Sequence, residues 1–150
     1  MSLEDDIAFL ESVPTLALLG REALRILAIG AENRYVHSGN VLFAEGETAD
    51  AGYVVQEGSF ELASQALPPA TVGPGTLLGE TALVTESTRP VTATALEPST
   101  VIRIPRTLFM RMLEGYPDAA QRLRDSIAAR VQQSLRDLAK VRNVLDAPPS

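Results

Sequence analysis

The chain has 150 residues, enough for one domain that buries about two-thirds of its unfolded surface, and its 45% hydrophobic and 21% charged residues exclude a disordered or collagenous chain. Nineteen acidic against thirteen basic residues give a formal net charge of -6, which argues against a nucleic-acid surface, since that needs a basic face or stripe. There is no cysteine, so disulfides, thiolate zinc sites, iron–sulfur clusters and a cysteine nucleophile are excluded, and no apolar run approaches the roughly 18 to 20 residues of a membrane span. A reducing, cytoplasmic setting is compatible with that composition, and no signal peptide is read at the start.

Residues 3–31 carry helical spacing, Ile7 with Leu10 and Leu24 with Leu27 and Ala28, broken by Pro14 and Gly20. They predict two short helices within an N-terminal region of residues 1–33. The texture then changes to short β-branched or aromatic runs, "RYV", "VLFAEG", "GYVVQEG" and "FELAS", punctuated by Gly39, Gly46, Gly52 and Gly58. Strands that turn back at such close intervals belong to a barrel or sandwich. Strand signals resume at "TVGPG", pause for the short apolar turn "GETAL" and return in "VTATALEPSTVIRIP", where Thr92, Thr94, Val101, Ile102 and Ile104 suit a pleated surface. A closed all-β unit over residues 34–105 is the economical reading.

Beyond Pro105 the spacing is helical again, first in "RTLFMRMLEGY" and then from Pro117, a first-turn proline followed by Asp118, to about residue 145. These C-terminal helices span residues 106–146. Leu123, Ile127, Val131, Leu135, Leu138 and Leu145 make an apolar stripe that must be covered, either by the β-unit itself or by a second copy in a coiled-coil-like seam. The basic residues of this region, among them Arg122, Arg124 and Arg130, alternate with acidic ones and read as solvated faces.

One constellation carries chemistry: Gly73, Gly75, Gly79, Glu80, Ala82, Leu83 and Arg89. If Glu80 to Leu83 form one helical turn, its free N–H groups from about Thr81 to Leu83 make an anion pocket, and Gly79 lets a phosphate approach the backbone. Arg89, arriving from the next loop, offers the same phosphate a planar fork of donors. A carboxylate beside a phosphate is repulsive, so Glu80 would accept from neutral hydroxyls instead. Phosphate plus sugar hydroxyl describes a nucleotide. An ordinary surface Glu–Arg pair beside a turn is the plainer reading of the same residues.

Over residues 9–145 the chain resembles the cyclic nucleotide-binding domain family, whose members include effector domains of catabolite activator proteins, regulatory subunits of cAMP-dependent kinase and gated channels. "HSGNVLFAEGETADAGYVVQEGSFEL" resembles the first half of that family's β-roll, with Gly39, Leu42, Phe43, Glu45, Gly46, Asp50, Tyr53, Val55 and Gly58 at its glycine, apolar and acidic positions. "VGPGTLLGETALVTESTRPVTATALEPSTVIRIPRTLFMRMLEGYP" resembles the second half. Within it the phosphate-binding cassette, Gly-Glu-x-Ala-Leu, five residues and Arg, is met by Gly79, Glu80, Ala82, Leu83 and Arg89.

The resemblance implies a mainly β fold, a double-stranded β-helix or jelly roll with flanking helices, forming a single domain with its cassette at residues 79–92. It implies a non-catalytic regulator that takes cAMP or cGMP as ligand, with cAMP preferred, and that needs no cofactor or metal. Arg89 would pair with the cyclic phosphate, Glu80 with the ribose 2'-hydroxyl, and the N–H groups of Thr81 and Ala82 with the phosphate. The base would lie near Leu77 and Leu78, capped by the C-terminal helix, with Arg122, Arg124 and Arg130 as candidate caps that read more readily as solvated charges. Pro90 departs from the pattern, because it lacks the N–H that many relatives offer at that place. Val91 and Thr92 follow at the family's small and hydroxyl positions. The segment "ASQALPPATVG" shortens the hairpin between the halves.

The expected partners are the nucleotide, a second copy through the C-terminal helix and a protein effector, with no direct DNA or membrane binding by this chain. His37, the one histidine, has no partners for a catalytic triad or metal cluster and reads as a surface residue. The competing function is a degenerate β-roll that dimerises or docks on a protein without ligand.

Overall fold

The computed structural model describes residues 2–146, apart from the side chains of residues 131, 134 and 138–146. Three helices open the chain where two were expected: α1 (Leu3–Glu11), α2 (Pro14–Ala17) and α3 (Arg21–Gly30). Helix α1 begins in a capping box, the Ser2 hydroxyl accepting from Asp5 N–H at 3.2 Å while the Asp5 carboxylate accepts from Ser2 N–H at 3.3 Å. The additional helix has a local cause. Pro14 forces the chain out of α1, and its fixed φ then starts a new turn behind the extended Val13. Ile7, Leu10, Val13, Leu16 and Leu19 are all buried, so the three-residue spacing runs through both helices as one apolar stripe.

Ten short strands follow: β1 (Glu32–Val36), β2 (Val41–Phe43), β3 (Thr48–Ala49), β4 (Ala51–Glu57), β5 (Phe60–Ala63), β6 (Ala70–Val72), β7 (Leu77–Leu78), β8 (Ser87–Thr88), β9 (Thr92–Ala95) and β10 (Ser99–Pro105). All pairings are antiparallel. They form two four-stranded sheets, ordered β1-β10-β4-β7 and β2-β9-β5-β6, and a separate β3-β8 pair. The first and last strands lie side by side, Glu32 opposite Arg103 through Val36 opposite Ser99, which ties the two halves of the roll together.

This is the expected jelly roll with helices at its ends, and its interior is divided in two. Phe43, Tyr53, Val55, Phe60, Leu78 and Val101 fill the space between the sheets. Val54, Ile102 and Ile104 point the other way, into a second core with the buried residues of the helices. Strand β4 serves both, which explains why it reads as an unbroken apolar run rather than an alternating one. Helices α4 (Arg106–Gly115) and α5 (Pro117–Asp146) close that second core through Phe109, Met112, Ala119 and Leu123.

The first half of the α5 stripe is therefore covered by its own chain: Leu123 is buried and Ile127 packs beside it. Leu135 is 60% exposed. Val131, Leu138 and Leu145, which the seam would also need, have side chains outside the described residues.

Candidate functional site

The cassette turn is a single 3-10 turn, Glu80–Leu83, entered through Gly79 at φ +74°. That left-handed conformation favours glycine, and space demands it as well, because a Cβ there would strike Arg89 Nη1 and come within 3.3 Å of Ala51 O. Ala82 and Leu83 are buried, Leu83 lying against the bare backbone of Gly52, and they root the turn in the fold. Thr81 is exposed, and the Glu80 side chain is 36% exposed. Ala82 N–H donates to Gly79 C=O at 3.0 Å, so that one of the two expected phosphate donors already has a partner.

Arg89 is set by its backbone. Its N–H donates to Glu47 O and its C=O accepts from Gly46 N–H, each at 2.8 Å, extending the β3-β8 pair by one residue and turning the side chain inward. The residue is 3% exposed. Its guanidinium carbon sits 4.4 Å from the centroid of the Phe43 ring and 5.5 Å from that of Tyr53. Nη1 is buried without a hydrogen-bond partner, a condition it shares among the described residues with Asp6 Oδ1.

An unmet buried donor costs about 1–3 kcal/mol, and more when charged. The two aromatic faces offset part of that by cation–π attraction. Burial lowers the Arg89 pKa, a tendency that Tyr53, Asp50 and Glu47 oppose and Arg103 reinforces. A guanidinium nevertheless stays protonated in a protein. The site thus presents a desolvated cation, with a donor unspent, beside a left-handed glycine and a short turn. Such an arrangement can take a compact anion.

The other predicted residues fall around this centre. Pro90 is exposed just beyond Arg89 and Val91 packs on the roll interior. The Thr92 hydroxyl accepts from Glu45 N–H at 2.9 Å and so anchors the neighbouring hairpin. Leu78 is buried in the roll opposite Tyr53, whereas Leu77 packs toward the helical core. His37 is exposed with its ring edge-on to Tyr35. No group of three or more metal-binding side chains occurs among the described residues.

Three arginines depart from the reading of solvated charges. Arg130 of α5 donates from Nη2 to Glu80 Oε1 at 2.5 Å, and this bond raises its pKa. Arg122 binds Leu18 O at 2.6 Å through Nε and Leu19 O at 3.1 Å through Nη2, closing the end of α2. Arg106, at the first residue of α4, donates from Nη1 to Ala49 O, Ala82 O and Thr85 O at 3.0, 3.3 and 3.2 Å. Arg124 follows the expectation, bonding Gln121 within its own helix. A cavity of about 470 Å³ opens between the cassette turn and α5, lined by Leu83, Phe109, Leu123 and Ile127 together with Glu80 and Arg130.

The antiparallel roll places its cassette turn against a buried arginine, an arrangement suited to a compact anion. Residues 33–116 match the model of the cyclic nucleotide-binding domain family, and the chain belongs to that family. A cyclic nucleotide-binding-like protein of Brucella abortus is 40% identical, with a TM-score of 0.64 over 73% of this chain and 98% of that one. The N-terminal domain of a transcriptional regulator from Streptomyces coelicolor A3(2) is 28% identical, with a TM-score of 0.75 over 83% of this chain and 91% of that one. Lysophospholipase nte1 of Neurospora crassa is 32% identical over 111 residues, 71% of this chain and 7% of that protein. The chain spans between 7% and 22% of the length of the curated relatives it matches.

Proposed function

We propose that this chain is a non-catalytic regulatory domain that binds cAMP in the roll and passes its occupancy to α4 and α5. The observation that carries this reading is the buried Arg89 Nη1 without a partner beside Gly79 and the cassette turn. An equatorial phosphate oxygen supplies the acceptor that this nitrogen lacks. Glu80 keeps Oε2 for a ribose hydroxyl while Arg130 holds Oε1. Thr81 N–H completes the cradle, with Ala82 N–H shared between Gly79 C=O and the ligand. Pro90 adds no donor, which costs about 1.5 to 3 kcal/mol relative to a relative with that bond. The outcome is weaker binding, on the order of tenfold or more, and retained recognition.

Kinship with lysophospholipases over the nucleotide-binding region supports a role as a regulatory section of a longer lipid-hydrolysing protein. A second copy pairing through the later turns of α5 is the favoured assembly, and Leu135, exposed on that helix, supports it.

The test is isothermal titration calorimetry with cAMP and cGMP on the natural chain and on Arg89→Ala. Binding at micromolar concentrations or tighter, stronger for cAMP and removed by Arg89→Ala, is expected. A folded protein that gives no heat at millimolar nucleotide overturns the reading and favours a ligand-independent docking module.

A further inference from the structure

Arg106 is a residue whose local setting is unfavourable. It opens α4, at the positive end of the helix dipole, behind a cap position held by Pro105 that offers no side-chain bond and ahead of a first turn without an acidic residue. A charge so placed implies a gain elsewhere. The gain lies outside the helix, where Nη1 reaches three main-chain carbonyls of two other segments: Ala49 O at 3.0 Å, Ala82 O at 3.3 Å and Thr85 O at 3.2 Å. One nitrogen with two hydrogens shares them among three acceptors, so the grip depends on all three carbonyls staying convergent. The Arg106 backbone is held at the same place, its N–H donating to Asp50 O at 2.8 Å.

Those carbonyls belong to the two walls of the anion site. Ala82 lies in the turn that Gly79 opens beside Arg89, and Thr85 lies two residues beyond its end. Ala49 is paired with Ser87, two residues before Arg89. Resting on the reading of that site as a nucleotide site, we propose that Arg106 is the positioning residue through which movement of the cassette turn reaches α4. When a phosphate draws the Gly79 end of the turn toward Arg89, the carbonyls at its far end shift with it, and the guanidinium that grips them is the first residue of α4. Arg106 touches no ligand. Its removal uncouples the helices from the site more than it weakens the site.

The test compares the natural chain with Arg106→Met, Arg106→Lys and Met112→Ala, a variant that loosens α4 in its core while keeping the Arg106 side chain and its carbonyl partners. Calorimetry gives cAMP affinity, and hydrogen exchange with and without saturating cAMP gives the response of residues 80–85 and 106–130. In Arg106→Met, exchange of residues 82–85 rises without ligand, cAMP affinity falls by less than about tenfold, and ligand-induced protection of residues 106–115 disappears. Arg106→Lys restores part of that protection. Met112→Ala lowers the melting temperature yet keeps the ligand-linked response, which separates coupling from mere structural support. Should Arg106→Met fail to fold, Arg106→Gln is read in the same way. If Arg106→Met binds cAMP and protects α4 as the natural chain does, the coupling role is overturned while the nucleotide site stands. If the natural chain gives no heat with either nucleotide, the nucleotide reading fails and the coupling role with it.

Discussion

Arg89 is held in the fold by its surroundings, not by a hydrogen-bonding partner at its tip. Its charge is stripped of water and laid on Phe43 and Tyr53, while Nη1 finds no acceptor. A group of that kind weakens the free protein and strengthens the bound one. Arg89→Met keeps the length of the side chain and lays an apolar stem on the same two rings. Its expected effect is unchanged or increased resistance to urea without ligand, together with complete loss of cAMP binding. A fall of more than about 2 kcal/mol in unfolding free energy would count against this account of the cage.

Gly79 is the second residue on which the geometry turns. Gly79→Ala places a side chain at φ +74° and drives its methyl group into Arg89 Nη1. The backbone alone costs about 1–2 kcal/mol, which corresponds to a melting temperature lower by about 2–8 °C in a domain of this size. Arg89 must also leave its rings. Calorimetric affinity should therefore fall further than the loss of stability explains, and a variant that melts lower but binds cAMP normally would refute the link between the two residues.

At the scale of elements, Leu83 roots the cassette turn in the helical core, since it belongs to that turn yet packs on Gly52 and among the buried residues of the helices. Leu83→Ala should cost about 2–5 kcal/mol by urea unfolding, and a loss under about 1 kcal/mol would mean the turn is not rooted there. How far such relations could be read from the sequence depended on their range. The β-roll and the cassette were legible because glycines, β-branched runs and the Gly79 to Arg89 spacing are local signals. The extra N-terminal helix was not, since the four residues Pro14–Ala17 carry too few periods to distinguish a helix from a turn. The aromatic faces under Arg89 come from β2 and β4, far away in sequence, and their positions read as ordinary core. Arg130 and Arg106 were hidden for a similar reason: the spacing along a helix does not say whether an arginine's partner is Glu80, a carbonyl from another segment, or water. The one available clue was Arg106 itself, a cation at a helix start directly behind a proline.

At the scale of the whole molecule, two arginines tie the cassette turn to the C-terminal helices. Arg106 reaches the cassette turn from α4, and Arg130 reaches Glu80 from α5 at 2.5 Å. The second contact is half in water, its side chains 51% and 36% exposed, so it contributes less than about 1 kcal/mol to folding. If the site takes a cyclic nucleotide as proposed, its effect on ligand binding is larger, because Arg130 would offset the repulsion between Glu80 and an incoming cyclic phosphate and hold one carboxylate oxygen in place. Arg130→Gln is therefore expected to leave the melting temperature nearly unchanged, to weaken cAMP binding about threefold to tenfold, and to reduce the dependence of affinity on salt, since one cation near the phosphate is gone. Hydrogen exchange in the first turns of α5 should quicken without ligand. If Arg130→Gln instead tightens binding, the arginine competes with the ribose for Glu80, and α5 is a lid that the nucleotide must displace.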